Sequence, residues 1–206
     1  LYDYPRYTPC NGYAEQDPAD WWNACVNSIR DVVAKSGVPA DEIKGVGLSG
    51  QMHGLVMLDK DDKVIRPAIL WNDGRSTKQC EYLNNIIGKE TLSEYTANIA
   101  FAGFTAPKIL WVKENEPDNF ARINKIMLPK DYIAYKLTGI HSTDVSDASG
   151  MLLLDVKNRC WSEEMLGICG IREAVMPGLY ESSDVIGTLT KAASEETGLP
   201  QSVKVI

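Results

Sequence analysis

Three short segments carry side chains able to bind or transform a small polar molecule. In Gly50-Gln51-Met52-His53-Gly54 an amide, a thioether and an imidazole stand together between two glycines. A loop of this kind at a strand end is where α/β proteins bind ligands, and flanking glycines let the backbone come close to a substrate. The same residues also suit a plain turn with a satisfied, partly buried His53. Trp71-Asn72-Asp73-Gly74-Arg75 is a second dense patch, which read alone is a turn with a surface ion pair. The third, Ser146-Asp147-Ala148-Ser149-Gly150, sets a carboxylate between small residues, where it can take the proton of a substrate hydroxyl. The commoner use of such an aspartate is an Asx turn or a helix cap. Asp144 offers similar chemistry in a looser frame.

One pattern misleads. Gly45-Val46-Gly47-Leu48-Ser49-Gly50 matches G-x-G-x-x-G, with Asp73 at a suitable distance beyond. Dinucleotide binding needs those glycines after a strand and opening a helix, so that the pyrophosphate meets the helix N-terminus. Here Gly45 and Gly47 fall inside an apolar run, and Gln51 to Val56 leads into another strand. No G-x-x-x-x-G-K-[ST] phosphate loop occurs either.

The elements that must position these segments alternate between strands and helices. Asp17-Pro18-Ala19-Asp20 predicts a capped helix start, and Trp22, Cys25, Val26, Ile29, Val32 and Val33 give it one apolar stripe, stopped by Gly37-Val38-Pro39. Short apolar runs at 43–48, 55–58 and 64–71 predict three strands, the last two joined by a polar turn at Asp59 to Asp62. Helices are expected over 76–85, 107–114, 129–137 (ending at Gly139), 162–168 and 191–197. Further strands are expected at 125–128, 151–154, 185–189 and 203–206. This alternation indicates an α/β domain. His141 lies in a polar stretch and reads as a surface residue.

Of 206 residues, 44% are hydrophobic and 24% charged, which suits a folded globular chain. Lys plus Arg is 21 against 28 Asp plus Glu, a net charge of −7 that argues against a nucleic-acid partner. No apolar run approaches the roughly 18 residues of a membrane helix. The five cysteines, at 10, 25, 80, 160 and 169, form no Cys-x-x-Cys pair, and two histidines give a metal site little to build on. A reduced, cytoplasmic setting is the simplest reading. The chain opens on Leu1-Tyr2-Asp3 without a basic or apolar leader and closes on the apolar Val203 to Ile206, so truncation at both ends is expected.

Taken together, the segments resemble the FGGY family of carbohydrate kinases, and within it the xylulokinase branch. Gly103-Phe104-Thr105-Ala106-Pro107-Lys108-Ile109-Leu110-Trp111-Val112-Lys113-Glu114-Asn115 is similar to the family's first signature. Gly47 to Gly54, Arg66 to Arg75, Leu128 to Tyr132 and Ser146 to Gly150 are similar to xylulokinase blocks. Ala102 departs from the pattern, standing where relatives often carry proline. The resemblance implies the sugar-binding half of a ribonuclease-H-like, actin-like kinase fold with a mixed sheet and flanking helices. It further implies that residues 1–206 lack the first phosphate-loop strands and the C-terminal nucleotide domain. It assigns Met52 and His53 to the ketose, and Asp147 to the general base that takes the O5 proton of D-xylulose. Gln51, Asn72, Asp73 and Arg75 would support the sugar site. ATP and Mg²⁺ would act in the full-length protein, no metal ligand is assigned in this chain, a homodimer is possible, and the fragment alone is expected to be inactive. Alternatives are a kinase for ribulose or a glycerol-like polyol, and a non-catalytic sugar-binding or interaction module.

Overall fold

The computed structural model describes residues 2–206. In chain order the strands are β1 Glu15–Gln16, β2 Gly45–Val46, β3 Val56–Leu58, β4 Ala68–Ile69, β5 Lys125–Met127, β6 Ser142–Asp144, β7 Leu154–Asp155, β8 Cys160–Trp161, β9 Gly178–Tyr180, β10 Gly187–Thr188 and β11 Lys204–Val205. The α-helices are α1 Pro18–Ser36, α2 Thr77–Tyr82, α3 Lys89–Thr96, α4 Thr105–Asn115, α5 Pro117–Ala121, α6 Pro129–Thr138, α7 Val145–Ser149, α8 Glu163–Cys169 and α9 Lys191–Thr197.

Pairing is mixed. β1–β4, β3–β5, β7–β8 and β10–β11 are antiparallel, while β2–β11 and β6–β9 are parallel. A bridge between Leu55 and Ile69 joins the β1–β4 and β3–β5 pairs into one run. The centre of this run is buried on both faces, which is why 55–58 reads as unbroken apolar sequence. Alternate residues go to opposite sides. Met57 and Ile126 join the cluster under α4 and α8, with Ile109, Met165 and Met151 to Leu154. Val56, Leu58 and Met127 join the cluster under α1, α6 and α9, with Trp22, Val26, Tyr132 and Leu137. The result is a sheet with a helical layer on each face, the α/β architecture expected.

The helix signals hold locally. Asp17 caps α1 through a bond from the Ala19 N–H at 2.9 Å, and Gly37 ends it at φ +68°. α6 ends at Gly139, φ +72°, and α9 spans 191–197 as predicted. Other expectations need correction. Val32 is 66% exposed, because the buried stripe of α1 runs through Trp21, Trp22 and Val26. The helix expected over 76–85 passes through a wide π turn, Leu83–Gly88, into α3. Only Leu154–Asp155 of the 151–154 run pairs as strand; Met151, Leu152 and Leu153 are core without being strand. His141 is not a surface residue. Its Nε2 lies 2.8 Å from the Ile126 carbonyl, and its ring meets Tyr135 edge-on.

Candidate functional site

The loop after β2 and the helix after β6 come together at one end of the sheet. Gly50 and Gly54 permit this by letting the loop lie against the start of α6. A Cβ at Gly50 would stand 2.9 Å from the Lys130 Cβ, and one at Gly54 would stand 2.9 Å from the Pro129 Cδ. The close approach expected of these glycines is thus to protein backbone and side chain. Between them His53 adopts φ +64°, a left-handed conformation that costs a non-glycine residue about 1–3 kcal/mol unless its surroundings hold it. Its ring packs on Phe104 with centroids 4.6 Å apart, and Phe104 in turn packs on Phe101.

Ser146 to Ser149 belongs to the short helix α7. Its cap is Asp144, which accepts from the N–H groups of Ser146 (3.1 Å) and Asp147 (3.2 Å). Of the two aspartates weighed, Asp144 takes the capping work and Asp147 is left to face the cleft. α7 ends at Gly150, against which the His53 ring rests: a Cβ there would lie 2.7 Å from Nδ1. That Nδ1 is buried and makes no hydrogen bond among the described residues.

A cleft of about 420 Å³ opens over these groups, and Met52, His53, Lys130 and Asp147 all line it. Its far wall is the end of β9 and the segment after it, including Tyr180 and Ser182. Lys130 is the electrostatic centre. Its Nζ lies 2.8 Å from Asp131, 3.0 Å from Asp144 and 3.8 Å from Asp147. Burial opposes its charge, yet the Asp131 and Asp144 carboxylates lift its pKa well above the ordinary lysine range. Burial pushes Asp147 up to about 6, against the pull of the Lys130 cation. Burial, reinforced by the nearby Lys108, holds His53 below the usual histidine value. At neutral pH the cleft therefore presents an ionised carboxylate of unusual basicity beside a neutral imidazole, with hydroxyls at its rim. That set suits a small, uncharged, polyhydroxylated molecule.

Residues 2–206 match the FGGY family of carbohydrate kinases, N-terminal domain. The chain belongs to the FGGY carbohydrate kinase family. It is 43% identical to a xylulose kinase of Bacillus subtilis (strain 168) over 98% of this chain and 40% of that protein. It superposes on the crystal structure of a "xyloylose kinase" from Brucella ovis with TM-score 0.92 and 44% identity, covering 98% of this chain and 41% of that one. A gluconate kinase from Lactobacillus acidophilus superposes with TM-score 0.93 at 26% identity, over 100% of this chain and 41% of that one. The chain thus spans about two fifths of the length of these relatives, and its fold is the actin-like fold of sugar kinases.

In this FGGY domain the remaining sequence candidates lie away from the cleft. Gln51 turns to the other side, where its Nε2 donates to Gln16 Oε1 at 3.0 Å, as does Trp21 Nε1. Asn72 is exposed. Asp73 and Arg75 are not a surface pair. The Arg75 guanidinium, 1% exposed, binds Asp73 (2.8 Å) and Glu15 (2.7 Å) and stacks 3.9 Å from the Tyr13 ring centroid. Asp73 also accepts from the Ala14 N–H at 2.5 Å. The glycine-rich Gly45 to Gly50 stretch runs from β2 into the His53 loop and opens no helix, so the pyrophosphate-binding geometry is lacking. Among the described residues no cluster of three or more His, Cys, Asp or Glu side chains is placed to hold a metal ion.

Sequence reasoning gave no role to Lys130 or Lys108. Each carries a signal. Lys130 is a cation in the first turn of a helix, unfavourable to the dipole unless acids compensate it. Lys108 sits in the apolar run Ala106 to Val112, where a lysine is out of place unless its ammonium has partners.

Proposed function

We propose that the protein carrying this chain is an ATP-dependent sugar kinase that converts D-xylulose to D-xylulose 5-phosphate, this chain supplying its sugar-binding half. Met52 and His53 contact the ketose. As O5 attacks the γ-phosphorus, the bond to the ADP oxygen breaks and the O5 proton passes to the Asp147 carboxylate. The observation that carries the reading is the convergence of Met52, His53 and Asp147 on one cleft, with Asp147 held at about 6. A base of that strength is still ionised at neutral pH yet binds a proton better than an ordinary carboxylate. Positioning is the larger part of phosphoryl transfer, and the packing of His53 between Phe104 and Gly150 supplies rigidity. No residue of this chain is assigned to Mg²⁺ or to the nucleotide, and the 206 residues alone are expected to release no ADP.

A second reading keeps Asp147 as a hydroxyl-binding group and takes the base from outside this chain. It is favoured by the Lys130 ammonium, which lies 3.8 Å away and weakens Asp147 as a base. The test is ADP release by the full-length protein on D-xylulose, D-ribulose, gluconate and glycerol, with phosphorus NMR to place the new ester. Asp147→Asn is expected to lower kcat by about 10²–10⁴ with little change in sugar affinity. A raised KM at nearly normal kcat would establish the second reading, and no turnover of any ketose would overturn both.

A further inference from the structure

Lys108 is 0% exposed and lies on α4, outside the lining of the cleft. Its Nζ donates to the His53 carbonyl at 2.8 Å and to the Gly103 carbonyl at 2.6 Å. Thr105, one turn earlier on the same helix, donates to the same His53 carbonyl at 3.1 Å. The ammonium therefore fastens two loops to each other: Gly50–Gly54, which carries Met52 and His53, and Phe101–Phe104, which carries the ring on which His53 packs. A histidine backbone at φ +64° does not stay there by its own preference. Burial pushes Lys108 down to about 7, with Asp73 opposing, so its desolvation is a real cost against the folded state. A methionine would fill that space without the cost.

We propose that Lys108 is a positioning residue for sugar binding: by tying the His53 carbonyl to the Gly103 carbonyl it holds the His53 loop in its left-handed, cleft-facing conformation. This rests on the reading of the cleft as a sugar site. The expected size follows from population arithmetic. Each net hydrogen bond is worth a factor of about five in a loop equilibrium, and apparent affinity falls with the fraction of loop in the binding-competent form. Loss of both bonds predicts a sugar KM raised about tenfold to thirtyfold.

The experiment uses the full-length protein and compares wild type, Lys108→Met and Thr105→Val for kcat, KM for D-xylulose, KM for ATP and thermal midpoint. Lys108→Met is expected to raise the sugar KM by that factor while the ATP KM stays within twofold, and Thr105→Val to raise it about twofold to fivefold. A purely structural lysine would lower the thermal midpoint and the active fraction but leave the sugar KM unchanged, and that result overturns the proposal. If Lys108→Met does not fold, Lys108→Gln keeps a buried donor without spanning both carbonyls, and the same split is expected of it. Wild-type protein that phosphorylates no ketose overturns the sugar-site reading itself. Normal wild-type turnover with unchanged sugar KM in the variants overturns only the role given to Lys108.

Discussion

Adding one methyl group at Gly150 tests the cleft more sharply than deleting any side chain that lines it. Gly150 has φ −82° and ψ −2°, which alanine adopts without backbone strain, so the whole effect comes from where the Cβ goes. It would crowd the His53 ring, nearest to Cε1 and 2.7 Å from Nδ1, and an ordinary contact begins at 3.4 Å, so the ring must retreat by about 1 Å. The retreat is obstructed, since Phe104 lies on the ring and Phe101 behind Phe104. The His53 carbonyl is held by Lys108 and Thr105. Overpacking of this kind costs about 1–3 kcal/mol, partly offset by about 0.4–1 kcal/mol from stiffening the unfolded chain. At about 2–4 °C per kcal/mol for a domain of this size, the thermal midpoint should fall by only a few degrees. A misplacement of about 1 Å at a reacting site costs on the order of 10²-fold, so kcat/KM for the sugar should fall at least tenfold in Gly150→Ala. Gly167→Ala is the control: it lies inside α8 with nothing within 4 Å of its Cβ, and should raise stability slightly without touching kinetics. Steady-state kinetics with varied D-xylulose and thermal melts of both variants suffice. A Gly150→Ala enzyme with kcat/KM within twofold of wild type would refute the packing of α7 on His53, and with it the assembled cleft.

Four further outcomes follow from the same geometry. If Asp147 is the base, kcat/KM rises about tenfold per pH unit up to about pH 6 and is flat above, and Asp147→Asn abolishes that limb. Because the folded-state value of Asp147 is raised above 3.8, the native state binds its proton more tightly, and Asp147 makes stability fall as pH rises from about 4 to about 6. Asp147→Asn should therefore not lower the thermal midpoint at pH 7, and a drop of several degrees would contradict the burial cost assigned to this carboxylate. Arg75→Met strands Asp73 as a buried carboxylate without a cation, leaves Glu15 to Arg66 alone, and should cost about 3–5 kcal/mol in denaturant melts, with the sugar KM unchanged. Finally, a sugar that binds only the folded 206-residue chain at a hundredfold over its Kd should add about 2.7 kcal/mol, seen as a melt shifted by D-xylulose and not by glycerol or NAD.

What the sequence disclosed depended on how local each determinant is. Helix boundaries set by a cap and a stop were readable, since Asp17, Gly37 and Gly139 act within a few residues of themselves. Strand pairing was not: β6 and β9 join residues 142–144 to 178–180, and neither segment advertises a partner 36 positions away. The run 151–153 was misread as strand because burial alone makes it apolar, and periodicity does not separate a buried strand from buried irregular chain. The site shows the same division. Met52, His53 and Asp147 stood out by residue type and small neighbours, yet their meeting depends on Pro129 and Lys130 filling the space left by Gly50 and Gly54. Asp73 and Arg75 drew attention for the same compositional reason, but their charges are spent on one another, on Glu15 and on the Ala14 amide. A charged residue dense in sequence is therefore ambiguous until its partners are counted. Asp73 and Arg75 have theirs within the protein, whereas Asp147 shares one lysine with two other carboxylates and keeps a face toward the cleft. That surplus of carboxylate over cation is what separates a group available to substrate from one committed to the fold.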